Sequence, residues 1–268
     1  MSGILSEMTI KEVQALKPVL AVLPVGSTEP HGPHLPYCTD ALTARSVAEE
    51  ATRLAHSRGA KVVCLPTLPV GNNVNFRAFP FALRIGVRTL MSVVEDIVEQ
   101  LASDGVRIVV IVNGHGGNTD ALRSALREIA SRNGAPFVCM VGATEFASDV
   151  KADVIEHPSD HGGECETSCM MALAPHLVRP DRLADNPFGE LAVPELEKAF
   201  FVRPWHIHVP RSAGGETRNS SAVKGRRILD AASLGLARLL VELASARPTP
   251  SFPYKKRPVR PPRKKRGT

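Results

Sequence analysis

No apolar run in this 268-residue chain approaches the roughly 18–20 residues of a membrane-spanning helix. The N-terminus, Met1-Ser2-Gly3-Ile4, lacks a basic segment followed by an apolar stretch, so no secretory signal is visible and a cytoplasmic protein is expected. Cysteines are few: Cys38, Cys64, Cys139, Cys165 and Cys169. Their odd number and their spacings fit neither a disulfide framework nor a CxxC zinc site. Reduced, packed thiols are the expectation. Aromatics make up only 4% of the residues. Against that background Phe76 to Ile85 stands out, and it is expected to line a pocket or a subunit contact.

The formal net charge of +6 is not spread over the whole chain. Residues 251–268 carry eight Lys or Arg and no acid, and without them 25 basic residues face 27 acidic ones. The body is therefore nearly neutral, at −2. We divide the chain into a globular domain, 1–247, and a Pro-rich basic tail, 248–268, expected to be disordered. Contact of the tail with nucleic acid or anionic lipid through charge alone is expected to be weak and salt-sensitive, or absent.

Thr9-Ile10-Lys11-Glu12 has capping-box spacing and opens a short helix. Apolar runs at 19–25, 61–65, 107–112 and 137–141 read as strands, the third buried on both faces. Helical periodicity covers 41–57, 87–103, about 119–132 and 222–244. Thr39 or Asp40 would cap the first of these; Thr39 is the better cap if Asp40 binds a metal. A short helix is placed near 195–200, and Trp205-His206-Ile207-His208-Val209 alternates like a strand, with both histidines as strand residues. Repeated strand–loop–helix units argue for a mostly parallel sheet with helices on both faces. On such sheets, sites form where loops leave the carboxyl ends of the strands.

Three Gly-flanked clusters precede helices. The first runs Gly26-Ser27-Thr28-Glu29-Pro30-His31-Gly32-Pro33-His34-Leu35-Pro36 and closes at Thr39-Asp40. The second is Asn113-Gly114-His115-Gly116-Gly117-Asn118 and the third His161-Gly162-Gly163-Glu164-Cys165-Glu166-Thr167-Ser168. The second is no dinucleotide fingerprint, because the order is not GxGxxG and no acid follows at the required distance. Taken singly, each has a plain alternative: an exposed charged loop, a glycine turn, or a glutamate serving a helix dipole. Together they supply Glu29, His31, Asp40, His115 and Glu166, a mixed nitrogen and oxygen set suited to zinc, manganese or iron(II). Such a set fits one ion with an open position or two ions. Either could turn bound water into hydroxide for attack on a carbonyl, with His161 moving the proton to a leaving nitrogen.

These three motifs, in order from about residue 10 to 240, resemble the creatininase (creatinine amidohydrolase) family. The resemblance implies a three-layer α/β/α sandwich, a divalent-metal site, hydrolysis of a cyclic or linear amide C–N bond, and a homo-oligomer, commonly a hexamer. It places the metal ligands on Glu29, His31, Asp40, His115 and Glu166 and the proton-transfer histidine on His161. His34 also matches a family position and is read as supporting the ligands. His34, Asn75, Gly116, Gly117 and Glu164 are candidates for substrate contact. Two departures stand out. Creatininase carries a glutamate where this chain has Gly117, so one metal is expected to be bound differently or to be absent; many relatives carry a histidine and Phe-Pro-Gly-Thr where this chain has Asn72, Asn73, Asn75 and Phe79-Pro80-Phe81-Ala82, a loop expected to shape the substrate pocket. Creatinine is therefore a doubtful substrate. A formamide deformylase or a cofactor-maturation peptidase is the alternative within the family. A nucleic-acid-associated protein working through its tail, with a vestigial metal loop, is the alternative outside it. Arg211, Arg218 and the Gly214-Gly215 turn could bind an anionic group or form a solvated loop.

Overall fold

The computed structural model describes residues 2–159, 161–249 and 251–254. The first helix, α1 (Ile10–Leu16), opens on the expected capping box: the Thr9 side chain accepts from the Glu12 backbone while the Glu12 carboxylate accepts from the Thr9 backbone. Strand β1 (Leu20–Val25) follows, then α2 (Thr39–Ser57), β2 (Val62–Cys64), α3 (Val87–Ser103), β3 (Ile108–Asn113), α4 (Thr119–Ala130) and β4 (Phe137–Gly142). The four strands form one parallel sheet in the order β2-β1-β3-β4. After it come α5 (Ser148–Val154), α6 (Glu164–Leu173), β5 (Asp185–Asn186), α7 (Trp205–His208), β6 (Gly215–Glu216) and the long α8 (Ala222–Ser245). β5 and β6 make a small antiparallel pair.

Period-2 alternation divides the core into two layers, one on each sheet face. Leu20, Val22, Ile108 and Val110 pack with Ala44, Val47 and Ala51 of α2 and Ile228, Ala232 and Leu236 of α8. Ala21, Leu23, Val109 and Ile111 pack with Leu90 and Val94 of α3 and Leu122 and Ala125 of α4. This is the three-layer α/β/α sandwich that the motifs imply. β1 pairs β3 in register from Leu20↔Ile108 to Val25↔Asn113. The connections leave these two central strands toward opposite sides of the sheet, which makes their shared carboxyl end the topological switch point.

Four expectations are corrected. The N-cap of α2 is Cys38, with no side-chain cap. Thr39 lies inside the helix and donates its hydroxyl to the Pro36 carbonyl, and Asp40 occupies the first turn. Residues 205–208 form a helical turn instead of a strand; alternation over five residues cannot distinguish the two when a Pro at 204 can start a helix. The helix expected near 195–200 is a 3-10 segment, Pro194–Lys198. The tail is anchored at its beginning, since the Phe252 ring packs edge-on against Phe137 with centroids 4.7 Å apart. The basic run 255–268 lies outside the described residues. All five cysteines are free thiols.

Candidate metal centre

The loop leaving β1 carries Glu29 and His31, the first turn of α2 carries Asp40, the loop leaving β3 carries His115, and the first turn of α6 carries Glu166. Gly114 brings these parts together: a Cβ there would sit 2.5 Å from the carbonyl oxygen of Asp40, so only glycine lets β3 end so close to the start of α2. Glu29, His31, Asp40, His115 and His161 are all buried, and about a third of the Glu166 side chain remains exposed.

Each of the three histidines has one ring nitrogen on a backbone carbonyl. His31 Nδ1 lies 3.1 Å from Glu29 O, His115 Nε2 lies 3.2 Å from Asn72 O, and His161 Nε2 lies 2.9 Å from Pro30 O. A carbonyl only accepts, so each of those nitrogens carries the proton and the opposite nitrogen of the neutral ring turns a lone pair inward. Those lone pairs meet carboxylates. His31 Nε2 is 2.9 Å from Asp40 Oδ1 and 3.9 Å from Glu166 Oε2. His115 Nδ1 is 3.2 Å from both Glu29 Oε1 and Asp40 Oδ2. His161 Nδ1 is 3.8 Å from Glu29 Oε1.

Lone pairs facing carboxylate oxygens in a buried space call for a cation between them, a proton or a metal ion. Two of the oxygens, Glu29 Oε1 and Asp40 Oδ2, are buried and make no hydrogen bond. Among the described residues three groups of side chains could hold an ion: Glu29, Asp40 and His115; His31, Asp40 and Glu166; and Glu29, His31 and His161. The first two share Asp40, which points one oxygen at each. The donor set and the orphaned oxygens fit a divalent metal.

Proton affinities record the same demand. Burial would depress His31, but the carboxylates of Asp40, Glu166 and Glu29 outweigh it and lift the imidazole to about 10. Burial is likewise overcome at His115, where Glu29 and Asp40 raise it well above the ordinary value. Burial would raise Asp40, but His31 and His115 hold it well below the usual carboxylate range. Glu166 is pushed up to about 7 by burial, with His31 opposing and Asp40 reinforcing. His161 goes the other way: burial first, then the charge of His31, drive it well below the ordinary imidazole value.

Support around the cluster comes from Ser27, Asn73 and Asn118, to which the sequence assigns no such role. Glu29 Oε2 accepts from Ser27 Oγ at 2.6 Å, and Ser27 accepts in turn from Asn73 Nδ2 at 3.0 Å. Asn118 accepts from the Asn72 backbone at 2.8 Å and donates to Gly26 O at 3.0 Å, pinning the loop that holds His115. The signal for Ser27 was its position two residues before Glu29. Asn118 closes the second motif, but without the fold nothing relates either asparagine to its partner loop.

The candidates for substrate contact divide. Asn75, Gly116 and Gly117 line a cavity of about 610 Å³ that opens onto the cluster, together with Phe76 and Trp205. His34 is buried beside Thr167, with Nε2 2.8 Å from its hydroxyl, and does not line that cavity. Glu164 is corrected. It is fully buried and faces away: Oε2 accepts from the Glu156 and His157 backbones at 2.9 and 2.7 Å, and Oε1 lies 2.6 Å from Lys224 Nζ. Arg211 and Arg218 do not line the cavity, and Arg218 pairs with Glu216. His206 and His208 sit on α7, outside the three ligand groups. Cys165 and Cys169 line a smaller cavity of about 270 Å³ on another side of Asp40, His115 and Glu166.

Residues 6–240 match the family model described as creatininase, creatinine amidohydrolase. The chain is 30% identical to the creatinine amidohydrolase of Pseudomonas putida over 256 residues, covering 88% of this chain and 95% of that one. It is also 30% identical to the mycofactocin precursor peptide peptidase of Mycobacterium ulcerans over 214 residues, covering 77% and 78%. A crystal structure assigned as a creatinine amidohydrolase from Bacteroides fragilis superposes with a TM-score of 0.84 at 33% identity, covering 91% and 97%. Solved creatininases at 26% and 27% identity include a manganese form and a Zn–Zn form. The architecture, the order of the three motifs and the family match agree: the chain belongs to the creatininase family of hydrolases.

Proposed function

We propose that this protein is a metal-dependent amidohydrolase that cleaves a cyclic or linear amide C–N bond outside ordinary peptide turnover. The observation that carries the reading is the convergence of three backbone-anchored imidazoles on three carboxylates, two of whose oxygens are buried without a hydrogen bond. Glu29, His31, Asp40, His115 and Glu166 would hold one or two divalent ions, with Asp40 shared between them. Zinc or manganese is favoured by the solved relatives, and iron(II) suits the same donors. A divalent ion bound there polarises a carbonyl and lowers the pKa of water to about 7.

The chain's own residues do the rest. Ser27 donates to one oxygen of Glu29, leaving the other free to face the cluster. The Pro30 carbonyl fixes the proton of His161 on Nε2 and turns Nδ1 toward Glu29. Burial, then the charge of His31, lowers that ring's proton affinity, so a proton received at Nδ1 from the attacking water would be passed on readily to the departing nitrogen. The Phe76 ring, 4.8 Å from the His161 ring, excludes water on one side. A peptidase or formamide deformylase is the second reading, favoured by the peptidase relative and by a cavity larger than a small heterocycle fills. The proposal extends to a homo-oligomer, a hexamer by family precedent, and to a cytoplasmic location. Among the described residues no helix is long and apolar enough to cross a membrane.

The test is hydrolysis of cyclic amides, formamides and short peptides by protein stripped with a chelator and reloaded with zinc or manganese. Turnover of one class that disappears on stripping and returns on reloading supports the proposal. Turnover that survives complete stripping contradicts it.

A further inference from the structure

We infer that the large cavity selects an uncharged or cationic amide bearing an aromatic-sized apolar group and rejects anionic ones, with Asp120 at its mouth as the charge selector. The reaction in this inference rests on the amidohydrolase reading, whereas the selection rests on the cavity lining with the metal centre loaded. The cavity, about 610 Å³, is of the size that takes drug-sized molecules. Its wall is aromatic in a chain where aromatics are scarce: Phe76 and Trp205 stack with centroids 5.2 Å apart and planes 15° from parallel. Phe200, Phe201 and Val202 continue that wall toward the mouth, where the Phe200 side chain is 87% exposed. Uncovered rings at a cavity mouth cost solvation unless a ligand covers them, and their faces attract cations.

Charge points the same way. Among the described residues no Lys or Arg lines the cavity, so an anionic group held away from the metal cluster meets no side-chain cation there. Arg203, which stacks over the Phe201 ring, pairs with Glu197 and lines a different cleft. Among the described residues, the one charged side chain lining the cavity outside the metal cluster is Asp120, in the first turn of α4; it is exposed and has no ion-pair partner among them. The three cluster carboxylates, offset by one or two divalent ions, leave the centre within about one unit of charge from neutrality. Asp120 therefore adds a negative charge at the entrance that no described lining side chain offsets. A first-turn acid can also serve the helix dipole, and the test separates the two roles.

Trp205, the chain's single tryptophan, lines the cavity and reports its occupancy by fluorescence. The probes are three 4-substituted benzamides of matched shape, carrying trimethylammonium, tert-butyl or carboxylate, titrated into the metal-loaded protein and into Asp120→Asn. The cationic amide should bind about three- to tenfold tighter than the tert-butyl amide, and the carboxylate weakest. In Asp120→Asn the cation-to-neutral ratio should fall to within about twofold, while the tert-butyl affinity holds. Tightest binding of the carboxylate, no binding of any member, or a lowered Tm with the ratio unchanged would overturn the inference. Binding in the expected order without hydrolysis upholds it and tells against the amidohydrolase reading.

Discussion

His115 and Asn72, 43 residues apart in sequence, meet where the His115 ring nitrogen Nε2 lies 3.2 Å from the Asn72 carbonyl oxygen. That bond sets the tautomer and aims Nδ1 at Glu29 and Asp40. It survives because residue 117 is glycine: a Cβ there would collide with the Asn72 oxygen and His115 Nε2. Gly117→Ala should therefore weaken zinc affinity by about 10- to 100-fold, as loss of such a supporting contact does elsewhere. Chelator competition reads this directly. Unchanged affinity would show that the ring is held in some other way.

His161→Ala should keep its metal and lose turnover by about 10²–10⁴-fold, the range for removal of a general acid–base group. Metal content and kcat on any cleaved amide are the paired measurements. Because His161 belongs to one of the three ligand groups, loss of an ion in this variant would instead make it a ligand.

Glu164 is part of the frame. Glu164→Gln weakens the contact with Lys224 and the two backbone bonds, and should cost about 3 kcal/mol of stability. Metal content and KM should stay at their original values. A raised KM at full metal occupancy would return Glu164 to the substrate site.

Burial, together with the charges of His31 and Arg211, lowers His34 to about 4 from an ordinary value near 6.5. The folded protein thus resists a proton that the unfolded chain accepts. Stability from this source is intact above about pH 6.5 and is lost as pH falls toward about 4. In metal-free protein, His34→Gln should lack this loss, so the Tm difference between variant and original should shift in the variant's favour from pH 7 to pH 4.5. A difference that does not change with pH would contradict this.

The strands and long helices were legible because both layers of the core follow simple periods: alternate residues of β1 and β3 on either face, and helical spacing in α3 and α8. The candidate ligands could be named from sequence because they lie in three compact motifs, two of them at the ends of β1 and β3 and one opening α6. Its supports were not. Asn73 reaches Ser27 across 46 residues and Asn118 reaches Gly26 across 92, and no local pattern encodes such pairs. The motif alone places Glu166 on the metal and Glu164 in the substrate site beside it. Two residues apart on α6, they point about 200° away from each other around the axis, one to Lys224 and one to His31. The turn at 205–208 was misread because five residues hold too little periodicity to distinguish strand from helix.

Elemental analysis of the purified protein beside Glu29→Gln and His115→Ala tests the central claim, that this cluster is a divalent-metal centre. The account predicts zinc or manganese at one or two ions per chain in the original protein and a clear loss in both variants, with folding checked by circular dichroism. Full occupancy in both folded variants would contradict it.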